Sequence, residues 1–77
     1  MISWNYRFVR VGESVGIHEA YYEDDEREVV VSATATPVSV YGDTDHECVK
    51  QLRQMLDDVS KYPEIIDMKD VGRKDDY

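Results

Sequence analysis

The set of side chains that most resembles a metal cluster is Asp43, Asp45, His46 and Glu47, three carboxylates and an imidazole within five residues. These are the donor types that a divalent metal takes. Two features argue for another use. No spaced second set of ligands follows, and Thr44-Asp45-His46-Glu47 reads as a capping box, in which the Thr44 hydroxyl accepts from the Glu47 amide and the Glu47 carboxylate reaches back. Capping accounts for the same residues, so neither a metal nor a cofactor is expected. The other reactive types occur singly. His18 has no nucleophile or carboxylate dyad at a recognisable spacing, and reads as a strand histidine rather than a general base. Cys48 falls on an apolar helical stripe and reads as a buried, unreactive core thiol. With no catalytic signature left, the chain is not expected to be an enzyme.

The elements that carry these residues follow from periodicity. Residues 4–11 alternate, with Trp4, Tyr6 and Phe8 on one face and Asn5 and Arg7 on the other, which predicts a strand. Gly12-Glu13-Ser14-Val15-Gly16 supplies a turn. A second strand is expected at about 17–23, with its inward face undecided between Ile17 and Tyr21 on one side and Ala20 and Tyr22 on the other. A third is expected from about 28 to 36. There Pro37 marks an end, an edge or a bulge, and 38–41 can extend the strand beyond it. Thr44 then caps a helix whose apolar stripe is Cys48, Leu52, Met55, Leu56 and Val59, and Pro63 stops it. Glu64-Ile65-Ile66-Asp67 serves as either a short final strand or a packing anchor. The expected fold is α+β, β-β-β-α, a three- or four-stranded antiparallel sheet with one amphipathic helix on one face. A single domain over 1–68 would carry a frayed polar tail at 69–77.

Charge sets the frame for function. Seventeen acidic side chains against nine basic ones leave a net charge of −8, yet 42% of the residues are hydrophobic. That content is too apolar for a disordered acidic tail. An acidic surface repels nucleic acid and anionic lipid and suits a basic protein partner. A core this small buries only about 60% of the surface its unfolded chain exposes. A pocket of roughly 300 Å³ or more would therefore consume most of the interior, which favours binding over catalysis. Cys48 is the lone cysteine, so no internal disulfide forms, and a reducing cytoplasm is the expected setting. The opening MISWNYRFVR lacks the basic flank and apolar run of a signal peptide, so none is expected, and no apolar stretch approaches about 18 residues.

Two surfaces could carry that binding. The acidic one comprises Glu23, Asp24, Asp25 and Glu26 of the run to Glu28, together with Asp43 and Asp45 at the helix entry. The run would imitate nucleic-acid phosphates or dock on a Lys/Arg patch; its bland alternative is a solvated hairpin tip that keeps edge strands from aggregating. The aromatic one is the sheet face away from the helix, with Tyr21 and Tyr22, because Trp4, Tyr6, Phe8, Tyr21, Tyr22 and Tyr41 together exceed what one helix can cover. Tyrosine is enriched at interfaces, so a protein partner or a second copy of the chain would use that face.

The segments at Trp4–Arg7, Ile17–Tyr22, Pro37-Val38 and Gly42–Thr44 resemble a group of small bacterial and phage proteins with a W-N-Y-R start, an I-H-E-x-Y-Y strand and a G-[DE]-[ST] helix entry. That resemblance spans about residues 4–66 and brings no assigned chemistry. Gly42, Asp43, Thr44 and Glu47 also resemble the helix entry of the N-terminal domain of HicB-type antitoxins, with Cys48 where that family has alanine and with no DNA-binding domain following. In size and charge the chain is similar to phage inhibitors of host defence, anti-CRISPR proteins among them. The expected function is thus a non-enzymatic acidic module that occupies a basic, nucleic-acid-handling surface of a protein partner, as such inhibitors do. The alternatives are an antitoxin module neutralising a small basic RNase and a homodimeric structural or regulatory domain.

Overall fold

The computed structural model describes residues 3–23 and 29–72. Strands β1 (Ser3–Val11) and β2 (Ser14–Tyr22) form an antiparallel hairpin in unbroken register from Ser3↔Tyr22 to Val11↔Ser14. Its two-residue turn is Gly12-Glu13, shorter than the sequence suggested, and Gly12 takes φ +62°, a conformation that costs glycine nothing. Strand β3 (Val30–Ala33) pairs antiparallel with β2, helix α1 spans Asp45–Lys61, and β4 (Ile66–Asp67) pairs with β1. The sheet order is β3-β2-β1-β4. The fold is α+β, with four strands and one helix. Because β4 runs parallel to β1, the sheet is mixed rather than wholly antiparallel.

β3 is shorter than the expected 28–36, and its neighbour explains why. Thr34 N donates to Glu19 O at 3.0 Å and Val38 N to Ile17 O at 2.9 Å, so the chain follows β2 but bows out between them. Pro37 lies at the bow, over Gly16, where a β-carbon would come within 2.9 Å of Pro37 Cγ. Proline lacks the amide for a ladder, and glycine supplies the room.

The hairpin's two faces are unequal. Asn5, Arg7 and Val9 lie opposite Ala20, His18 and Gly16, and all of these but Gly16 are buried along with Tyr22. On the other face Tyr6 is buried, Phe8 is half-buried, and Trp4 stays 44% exposed, edge-on to Tyr6 at 5.2 Å. The most enclosed face is therefore the one holding Asn5 and Arg7, which the alternation had placed opposite the aromatics. Its polar groups are largely paired to one another. Tyr22 Oη donates to Asn5 Oδ1 at 2.9 Å and accepts from Arg7 Nη1 at 3.0 Å. Arg7 Nη2 reaches Glu64 O at 3.2 Å, and the guanidinium lies 5.5 Å from the Tyr62 ring centre.

The helix begins where its cap predicts. Glu47 N donates to Thr44 Oγ1 at 3.2 Å, and the Glu47 carboxylate turns back to the same hydroxyl rather than to the Thr44 amide. Tyr62 closes it and Pro63 follows. Its covered positions are Cys48, Gln51, Met55, Asp58, Val59 and Tyr62, which recur every three or four residues apart from the adjacent pair Asp58-Val59. Leu52 and Leu56, expected in the core, are 51% and 65% exposed, and Cys48 is half-buried rather than sealed. Two polar residues, Gln51 and Asp58, occupy the inward stripe instead. Past β4, one turn of 3-10 helix (Met68–Asp70) starts on the Asp67 side chain, and Gly72 N donates to Val30 O at 3.0 Å. Residues up to 72, within the expected tail, are thus tied to the sheet.

Candidate functional site

The sequence proposed two binding surfaces, and the fold separates their members. Tyr21 and Tyr22 point to opposite faces. Tyr22 is fully buried with its hydroxyl engaged on both sides, so it offers nothing to a partner. Tyr21 is half-buried, and its phenol hydrogen-bonds the Glu19 carboxylate. That bond, then burial, then repulsion from the Glu19 charge push the Tyr21 phenol above the ordinary tyrosine value. The expected aromatic sheet face is thereby reduced to Tyr21 and Trp4.

Of the acidic set, Glu23 is exposed at the end of β2, while Asp24, Asp25 and Glu26 lie outside the described residues. Asp43 and Asp45 are exposed at the helix entry, with Glu47 in the first turn. These three sit at the positive end of the helix, where carboxylates are stabilised. Asp43 and Glu47 also line a shallow cleft of about 560 Å³ with Glu19, Tyr41 and Gln51. Tyr41 is 80% exposed at its lip. Among the described residues, no group of three or more His, Cys, Asp and Glu side chains is arranged to hold a metal ion.

A surface absent from the sequence reading lies on the outside of α1. Val49, Leu52 and Leu56, at i, i+3 and i+7, are 41%, 51% and 65% exposed and fall on one stripe. The signal was visible as helical spacing but was assigned to the core, because Leu52 and Leu56 fit an apolar stripe better than Gln51 and Asp58 do. A further cleft of about 380 Å³ separates this helix from β1 and is lined by Trp4, Asn5, Gln54, Asp57, Asp58 and Lys61. Within it Lys61 Nζ is 3.2 Å from Asp57 Oδ2, a solvent-facing i, i+4 pair.

Comparison with known proteins found no matching family model, no matching curated protein and no matching solved structure. No helix of the described residues is long and apolar enough to cross a membrane.

Proposed function

We propose that this chain is a non-enzymatic binding module whose outer helix face and acidic surroundings engage a basic, nucleic-acid-handling surface of a partner protein. In its most concrete form it is a cytoplasmic inhibitor of host defence, comparable in kind to phage anti-CRISPR proteins. The observation that carries this reading is the exposed stripe Val49, Leu52 and Leu56 on a helix entered through Asp43, Asp45 and Glu47. Contiguous apolar surface in water is unfavourable, and a partner that covers it recovers that free energy. A net charge of −8 selects a basic partner and speeds its approach. The second reading is a HicB-like antitoxin module, favoured by an antiparallel β1-β2-β3 order followed by the Gly42-Asp43-Thr44 entry into a helix.

The test is binding to the purified partner, first captured from host lysate, at low and high salt. Leu52→Asp with Leu56→Asp should abolish binding while the circular dichroism spectrum stays native. Asp43→Lys, and reversal of Asp24 and Asp25 to lysine, should weaken binding most at low salt, since exposed charges are screened over about 8 Å at physiological ionic strength. Binding indifferent to salt and to every charge reversal would refute the basic-partner reading. If the captured partner is a small RNase, the antitoxin reading takes its place.

A further inference from the structure

His18 offers a separate kind of chemistry. Its side chain is 1% exposed, and Nδ1 lies 2.9 Å from the Thr34 carbonyl. A carbonyl can only accept, so Nδ1 carries the hydrogen, and in the neutral ring Nε2 is left as an acceptor. Nε2 has no hydrogen-bond partner among the described residues. It lies 3.6 Å from where a Gly16 β-carbon would sit, under the bow at Pro37. A hollow of about 340 Å³ opens there, lined chiefly by Val11, Val15, Gly16, His18, Thr36 and Pro37. Among the described residues no Asp, Glu, Lys or Arg lines it, in a chain where 34% of residues are charged. Val11 and Val15 keep 43% and 45% of their surface exposed at its wall. The hollow belongs to the hairpin end and the bow of the chain, so its volume is not taken from the core, contrary to what chain length alone suggested.

We infer that this hollow binds a neutral, mainly apolar group bearing one hydrogen-bond donor, of which a phenol is the simplest form, with the hydroxyl donating to His18 Nε2. Uncharged walls exclude ions, which would lose their hydration without a counter-charge. Mainly apolar walls with a few polar groups, His18 beside Ser14 and Thr36, give such a ligand both its affinity and its orientation. Gly16 keeps the approach to Nε2 open, because any side chain there would meet Pro37 and the imidazole edge. The inference is independent of the helix face and of the partner's charge.

The test is protein-observed NMR of the full chain titrated with p-cresol and with toluene, which have the same apolar body with and without the donor. Amide shifts should concentrate at Val15, Gly16 and Thr36, and p-cresol should bind roughly 3–10-fold tighter, the worth of one hydrogen bond. Equal affinities for the two probes, or no shifts at these residues, would overturn the inference. His18→Phe should abolish the preference for p-cresol. A preference retained in a folded His18→Phe protein would equally refute it. An acetyl-Ala-Tyr-Ala-amide arm separates the sources. Binding at least as tight as p-cresol places the phenol on a partner's tyrosine; exclusion of the peptide while p-cresol binds places it on a free small molecule.

Discussion

Asp58 Oδ2, on the helix, accepts the backbone amide of Tyr6, on β1, at 3.0 Å across 52 residues of sequence. β4 pairs with β1 only at Val9 and Arg10, so the amide of Tyr6 would otherwise lack a strand on that side. A carboxylate thus takes the place of a ladder carbonyl, steadied by Gln54 Nε2 on its other oxygen at 2.9 Å. Asp58→Ala should cost about 1–3 kcal/mol by stranding that amide. Asp58→Asn, which keeps an acceptor oxygen, should cost less. Thermal unfolding of both variants decides it, and equal losses would mean that charge, not the acceptor, matters.

Tyr22→Phe removes a hydroxyl that bridges Asn5 and Arg7 inside the most enclosed face of the sheet. Asn5 Nδ2 and Arg7 Nε are already buried without partners, so this network has little to spare. Each newly unpaired group should cost about 1–3 kcal/mol, a large part of the 5–15 kcal/mol typical of a domain. Chemical denaturation should also show that adding Asn5→Ala to Tyr22→Phe costs less than the sum of the single changes, because the two share one bond. Strict additivity would deny the network.

Met55→Ala and Leu56→Ala are neighbours in sequence with opposite expectations. Met55 is 5% exposed and Leu56 65%. The first should lose about 2–5 kcal/mol through a cavity. The second should stay within about 0.5 kcal/mol of the parent. A Leu56 variant as damaged as the Met55 variant would mean that the helix is rotated from the orientation described.

Tyr21 should resist alkali. Its folded-state pKa lies above the unfolded value of about 10, so the folded chain holds this proton more tightly. The associated stability is fully present below that value and is lost as pH rises through Tyr21's own folded pKa. Glu19→Ala removes the acceptor of the Tyr21 hydrogen bond, the first cause of the shift, together with the charge, and should bring the Tyr21 midpoint down, read by carbon NMR of labelled tyrosine. No movement would show that Glu19 is not the cause.

Much of the architecture was legible in the residues. Alternation through Trp4, Tyr6 and Phe8 marked β1, and Thr44 with Glu47 marked the helix start. Which side faces inward was not legible, because hydrophobicity pointed to Trp4 and Leu52, while enclosure came from Tyr22 bonding Asn5 and Arg7 and from Asp58 bonding a strand edge. Polar residues that satisfy one another at long range carry no periodic signal. β4 is two residues long, too short for any pattern to announce that it runs parallel to β1. The candidate helix surface was hidden by the same error that sent Leu52 and Leu56 to the core, and the His18 hollow by the bow that Pro37 imposes.

Arg7 acquires its last neighbours, the Tyr62 ring and the Glu64 carbonyl, from more than fifty residues downstream. During synthesis the β1–β2 hairpin therefore emerges with its guanidinium bonded to Tyr22 alone, and it gains these two neighbours only after Glu64 has left the ribosome. Only later can β4 join β1 and the Gly72 amide reach β3. The hairpin is built from local contacts and can form early, but closure waits for the end of this segment. A nascent chain stalled before Pro63 would present a half-finished sheet to chaperones and proteases, and release of the stall would be the event that completes it.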